Sequence, residues 1–205
     1  MIQTEELRLK DNYGVLQFSL PITLFEKIKE KIQTIQDTKL SDEKLFYNYS
    51  LAGQIEKEMK FHPDMEFRVF LEKLEKNYTE HFNFHTGIDK KLESCWVNFQ
   101  KKYEYNPFHN HTGLLSFVIW IKIPYSLEDE DKLPNTVHAN TKENGRFFLT
   151  YQSNFEGISR LKLDLDKKYE GKGIIFPANA FHYVHPFFTS DEFRISISGN
   201  YYFIK

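Results

Sequence analysis

The period of the hydrophobic pattern changes near residue 92, and that change limits the fold more than any other feature of the chain. Before it, apolar residues recur at three and four. Phe25, Ile28, Ile32 and Ile35 form one such series after Pro21; Phe67, Phe70, Leu71, Leu74 and Tyr78 form a second over roughly 65–82. That spacing places one apolar stripe along a helix, and Pro21 suits a first-turn position. Residues 14–19 read as a short strand, and Leu51-Ala52-Gly53-Gln54-Ile55 as a short helix or turn. Beyond residue 92 come short β-type runs at 93–100, 114–123, 146–152, 159–165, 173–176, 180–185 and 192–203. Turn signals separate most of them: Glu143-Asn144-Gly145, Gly171-Lys172-Gly173 and the stretch from Pro186 to Asp191. So many short strands at this spacing predict a sandwich or barrel. The expectation is a single domain over 1–205: residues 1–90 as mainly helical support without chemistry, and residues 91–205 as a β core.

Composition agrees. With 20 Phe and 12 Tyr the chain is rich in residues that favour strands and bring large buried areas. At 205 residues it can enclose a core and a pocket. Lys+Arg 27 against Asp+Glu 29 leaves a formal charge of −2, so no field attracts a polyanion and no nucleic-acid partner is expected. Cys95 is the only cysteine, which excludes an internal disulfide and a cysteine-rich zinc site and fits a reducing compartment. The polar start Met1-Ile2-Gln3-Thr4-Glu5-Glu6 reads as neither a signal nor a transit peptide. No apolar run reaches the ~18 residues of a membrane span, so a cytoplasmic protein without a membrane partner is expected. The oligomeric state is not legible. Residues 125–143 form a long, acidic connection containing Pro134, read as a lid over a pocket or as a solvated loop.

Chemistry concentrates in three places. His62, His81, His85 and His138 read as surface or cap histidines. By contrast, Asn106-Pro107-Phe108-His109-Asn110-His111-Thr112-Gly113 precedes the most hydrophobic run, Leu114 to Ile123. On an extended backbone His109 and His111 share a face, and two such imidazoles can share Zn, Cu, Fe or Ni. Alone, a His-x-His pair is more often a polar surface feature. The second place is Ile174-Ile175-Phe176-Pro177-Ala178-Asn179-Ala180-Phe181-His182-Tyr183-Val184-His185-Pro186. There His182 and His185 have opposite parity, so at most one faces a given pocket. The third is the strictly alternating run from Phe193 to Asn200. Its polar set (Arg194, Ser196, Ser198, Asn200) either faces solvent or lines a cavity. A hairpin folded about residue 188 or 189 would set Arg194 nearly opposite His182, about 5 Å away at Cβ. Arginine binds carboxylate bidentately and the Ser196 hydroxyl would share it, as a metal-chelated 2-oxo acid requires.

Taken together, the His-x-His, the Phe-Pro-x-x-x-x-His-x-Val-x-Pro and the Arg-x-Ser-x-Ser-x-Asn resemble the Fe(II)/2-oxoglutarate-dependent oxygenases. The chain is most similar to a set common in bacteria and marine phages. Ser94-Cys95-Trp96-Val97-Asn98, with an inserted cysteine, and Leu51-Ala52-Gly53-Gln54-Ile55 also look like segments of that set, so the resemblance spans about residues 45–203. It implies a mainly β protein with an α-helical N-terminal part, built on a double-stranded β-helix (jelly-roll, cupin-like) barrel that holds Fe(II). It implies His109 and His182 as metal ligands, and Arg194 with Ser196 for the far carboxylate of 2-oxoglutarate. The reaction implied is hydroxylation of a C–H bond, with succinate and CO2 released; iron and cosubstrate carry that chemistry.

The superfamily's His-x-Asp or His-x-Glu is replaced here by His-x-His, which leaves three accounts open. His111 is the third ligand; or it sits behind the ligands or against substrate; or it is the first ligand and Gly113 holds the carboxylate's slot. Asn98, Ser116 and Trp120 are candidate pocket residues, with core packing equally open for Trp120. Asn200 is a further candidate, either supporting Arg194 or capping the strand, and His185 is expected to face away. The substrate class is an amino acid, a peptidyl residue or a small molecule. Two other readings stand beside this one: a cupin-type three-histidine metalloenzyme that does not use 2-oxoglutarate, and a non-catalytic jelly-roll binding module.

Overall fold

The computed structural model describes residues 3–8, 14–37, 46–153 and 157–204. Both periodic helices form where the pattern places them. Helix α1 (Ile22–Gln36) buries Leu24, Phe25, Ile28 and Ile32; Pro21 stands just before it as its cap, not within its first turn. Helix α2 (Met65–Phe82) buries Phe67, Phe70, Leu71, Leu74 and Tyr78. Asp64 caps α2 by accepting the Phe67 N–H at 2.9 Å, and Asn83 ends it in the left-handed conformation at φ 52°.

Eleven strands form two antiparallel sheets among the described residues. The larger sheet contains β1 (Thr4–Arg8), β2 (Gly14–Ser19), β9 (Lys172–Pro177), β6 (Leu115–Lys122), β11 (Arg194–Phe203), β4 (Lys90–Gln100) and β3 (Lys57–Lys60), in that spatial order. The smaller contains β5 (Asn106–His109), β10 (His182–Val184), β7 (Phe147–Ser153) and β8 (Gly157–Leu163). The protein is thus mainly β with few helices, and the sheets keep free edges instead of closing into one barrel. The first ninety residues are less purely helical than their periodicity predicts, because β1, β2 and β3 supply edges of the larger sheet. Leu51–Ile55 is not a helix: Gln54 bridges to Tyr105 as extended chain.

Strict alternation gives the larger sheet two different faces. Val97, Phe99, Phe117, Ile119, Ile175, Ile195 and Ile197 pack against α1 and α2 in one core. Val118, Trp120, Ile174 and Phe176 point the other way, toward Phe147, Leu149, Leu163 and Phe187, in a second core between the sheets. Each such side chain contributes about 1.5–3 kcal/mol by leaving water, so both faces are fixed and a one-residue slip of β11 would turn Arg194 and Ser196 into the helix-side core.

The predicted hairpin between His182 and Arg194 does not form. His182 pairs with His109 and Leu149 in the smaller sheet, whereas Arg194 pairs with Gln100 in the larger. The connection crosses from one sheet to the other and buries Phe187 in the core between them, so the two residues come from facing walls. The 125–143 connection is a packed clasp on this crossing. Its short helix α3 (Leu127–Asp131) carries the fully buried Glu130, whose Oε1 accepts the Phe188 N–H, the Thr189 N–H and the Thr189 hydroxyl at 2.7–2.9 Å. None of its residues lines the pocket described next. Among the described residues no helix is long and apolar enough to cross a membrane.

Candidate metal centre

Between the sheets lies a pocket lined by side chains from both. Three imidazoles from the smaller sheet share one wall. His109 ends β5, His182 opens β10 directly beside it, and His111 follows in a turn held by its N–H to Ala178 O at 2.8 Å. One ring nitrogen from each lies within 4.8 Å of the others. The Nδ1 atoms of His109 and His182 face the carbonyl oxygens of Pro107 and Ala180 at 2.6 and 3.0 Å. A proton held on each Nδ1 leaves Nε2 with its lone pair free. Burial pushes all three pKa values down, His111 to about 4, and the neighbouring rings lower His111 and His182 further. All three are therefore neutral imidazoles near pH 7, the protonation state a metal needs. Trp96 packs on His111 at 5.6 Å between ring centroids, and Phe147 and Phe176 flank His182 at 5.7 and 5.1 Å.

His111 joins the other two imidazoles. Gly113, two residues on, sits on backbone that only glycine tolerates: its φ is 111°, and a Cβ there would stand 2.8 Å from Tyr201 O. The remaining histidines stay apart from the three: His185 faces Glu143, its Nε2 3.0 Å from Oε2, and His62, His81, His85 and His138 do not line the pocket.

The opposite wall is the polar row of the larger sheet. Asn98, Ser116, Trp120, Arg194 and Ser196 all line the pocket, as does Ser198. Trp120 also packs on Phe147 and Tyr169, so lining and packing coexist. Asn200 is an exception: it is buried outside the lining set and accepts the Ser116 hydroxyl at 2.7 Å, so it neither lines the pocket nor touches Arg194. A bulge between Asn200 and Tyr201 in the pairing with β4 ends the alternation there. Arg194 is 3% exposed and every one of its N–H groups has an acceptor. Nη1 donates to the Tyr125 hydroxyl and Gly145 O at 2.7 and 2.9 Å. Nη2 donates to His185 O at 3.1 Å, and the Nε–Nη2 edge holds Gln100 Oε1 at 3.2 and 2.7 Å.

Several residues that line the pocket are not among the site candidates drawn from the sequence. Gln100 looked like one polar position of an alternating strand. Leu51, Ala52, Gly53 and Glu58 come from the region read as support, and Asn106 from the approach to the His-x-His. Burial, with Glu104 nearby, raises the Glu58 carboxyl to about 8. A four-residue strand is too short for alternation to announce a buried acid.

Residues 94–200, just over half the chain, match the model of the family described as "Putative 2OG-Fe(II) oxygenase". No curated protein matches the sequence. Solved structures with a similar fold include a Pseudomonas putida prolyl-4-hydroxylase (TM-score 0.59, 12% identity, 94% of this chain and 93% of that one). They also include a Trichoplax adhaerens prolyl hydroxylase solved with a hypoxia inducible factor peptide fragment (0.59, 11%, 95% and 84%). A third is the viral collagen prolyl hydroxylase of Paramecium Bursaria Chlorella virus-1, solved with 2-oxoglutarate (0.55, 12%, 94% and 96%). The segment Leu51–Ile55 lies outside the matched residues, so that part of the resemblance rests on the sequence alone. A neutral imidazole cluster suited to a divalent metal thus sits inside a matched stretch that runs from Ser94 to Asn200, and the chain belongs to the 2OG-Fe(II) oxygenases, enzymes that depend on iron and 2-oxoglutarate.

Proposed function

We propose that this oxygenase hydroxylates a C–H bond of an amino-acid, peptidyl or small-molecule substrate, and that its two facing sheets are the halves of a double-stranded β-helix. The convergence of His109, His111 and His182 opposite Arg194 carries the reading. The three histidines would hold Fe(II), and Arg194 with Ser196 the far carboxylate of 2-oxoglutarate. Iron so held couples oxidative decarboxylation of 2-oxoglutarate to hydroxylation: C–H, O2 and 2-oxoglutarate become C–OH, succinate and CO2.

The chain's own residues position and shield. Pro107 O and Ala180 O fix the tautomer of two imidazoles. Trp96 packs on His111, and Phe147 and Phe176 shield His182. Tyr125 and the carbonyls of Gly145 and His185 pin the guanidinium. The Gln100 amide covers the Nε–Nη2 edge, where a carboxylate makes a stronger, charge-assisted pair. Ser196 Oγ accepts the Asn98 amide at 3.2 Å, which leaves its O–H to donate. A peptidyl substrate is the favoured class, because the structures of similar fold named above are prolyl hydroxylases.

Supplying Fe(II), 2-oxoglutarate and O2 and following succinate tests the reading; succinate above that of His182→Ala is expected. Metal binding without any effect of 2-oxoglutarate would point instead to a three-histidine metalloenzyme of another kind, and no metal binding to a binding module.

A further inference from the structure

Four buried side-chain atoms among the described residues have no hydrogen-bond partner, and three of them line the metal pocket: Glu58 Oε2, Asn98 Oδ1 and Asn106 Oδ1. All three belong to groups that accept hydrogen bonds, and leaving such atoms buried and unpaired costs about 1–3 kcal/mol each. Concentration at one place marks a missing ligand better than it marks faulty packing. Glu58 and Asn98 are 1% and 4% exposed and stand side by side in the β3–β4 register. Asn98 is in turn beside Ser196, so Glu58 lies two strands, roughly 10 Å, from the proposed cosubstrate end.

Gly53 shows that the Glu58 carboxyl and the Asn106 amide converge. A Cβ built there would be 2.5 Å from Glu58 Oε1 and 2.8 Å from Asn106 Oδ1. Only the absent side chain lets both approach the same point beside the backbone. Among the described residues no basic side chain pairs with Glu58, whose only charged neighbour acting on it is the like-charged Glu104. The gap is therefore geometric, and Glu58 faces it as a carboxyl that an arriving cation would drive to give up its proton.

We propose that Glu58 and Asn106, which meet at Gly53, and Asn98 beside Glu58 form the substrate-recognition subsite and take a protonated amine. A primary ammonium has three N–H donors, one for each orphaned acceptor, and its charge pairs with the carboxylate as it leaves water. This rests on the oxygenase reading, with substrate entering the pocket that holds the iron.

The test is calorimetry on the anaerobic protein loaded with Fe(II) and 2-oxoglutarate. The probes are isosteric pairs: putrescine against 1,4-butanediol, and acetyl-Gly-Lys-Gly-amide against acetyl-Gly-norleucine-Gly-amide. We expect at least one amine to bind tenfold or more tightly than its neutral partner. That preference should fall at least tenfold in Glu58→Gln and in Asn106→Leu, with the Fe(II) and 2-oxoglutarate affinities of both variants unchanged. Equal binding of amine and neutral partner in both pairs, or a preference untouched by both substitutions, overturns the subsite. Failure of the loading titrations themselves would count against the oxygenase reading instead, and is seen before any amine is added.

Discussion

Replacing Gln100 by glutamate tests the cosubstrate site more cleanly than removing Arg194. Loss of the guanidinium would orphan Gln100 Oε1 and His185 O, at about 1–3 kcal/mol each, and would remove the donor to the Tyr125 hydroxyl, which itself donates to Gly145 O. Set against a total stability of about 5–15 kcal/mol, such a variant confuses misfolding with lost binding. Gln100→Glu keeps the side chain's shape and puts a carboxylate on the edge where the amide oxygen now sits. The stronger, charge-assisted pair with Arg194 offsets the lost donation from Gln100 Nε2 to Glu104 O, so the fold should hold. A resident carboxylate then competes with the one arriving. A desolvated arginine–carboxylate pair is worth roughly 2–5 kcal/mol, and tenfold in affinity is about 1.4 kcal/mol. 2-Oxoglutarate should therefore bind at least about 30-fold more weakly by calorimetry on the Fe(II)-loaded protein. The Fe(II) affinity should not change, because Gln100 stands on the wall opposite the imidazoles. A folded variant that binds 2-oxoglutarate within threefold of wild type would show that the cosubstrate does not use this guanidinium edge.

Other outcomes follow from the same geometry. His182→Ala removes the most buried imidazole of the triad, and metal analysis should find the bound iron reduced to near zero; full occupancy would remove His182 from the ligand set. Gly53→Ala places a Cβ 2.5 Å from Glu58 Oε1; because the carboxylate arm can swing aside, stability should fall by no more than about 1 kcal/mol, while amine binding is lost and 2-oxoglutarate binding kept. Retained amine binding would contradict the role given to this glycine. The folded Glu58 carboxyl is raised to about 8 from its ordinary 4.5, so between those values the folded state holds a proton that the unfolded state has released. Its contribution to stability is full below pH 4.5 and is lost as pH rises toward 8, by up to roughly 5 kcal/mol. Ligand-free Glu58→Gln should accordingly gain on wild type in denaturant titrations as pH rises across that window, and a constant difference would mean an ordinary surface-like acid.

What could be seen in the sequence was whatever local period encodes. The 3.6-residue stripe of Phe67 to Tyr78 gave α2 its limits, and the two-residue alternation of β11 assigned Ile195 and Ile197 to one face and Arg194 and Ser196 to the other. The three histidines were legible because residues that gather round one ion would share a residue type. Pairing was not legible, since nothing near residues 186–191 tells a hairpin from a crossing between sheets; that is decided by Phe187 finding a core on the way. Glu58 and Gln100 were missed for a related reason. Each is one polar residue on a strand, and only its distant neighbours make it unusual.

The guanidinium that sits in the larger sheet donates to Gly145 O and to His185 O, which flank the smaller sheet's β7 and β10. It works as a rivet through both leaves of a clamshell. Splaying the leaves would tear out a buried cation, so under the proposed reading the substrate would thread between fixed jaws, as a small molecule or as one side chain offered on a slender, unfolded strand.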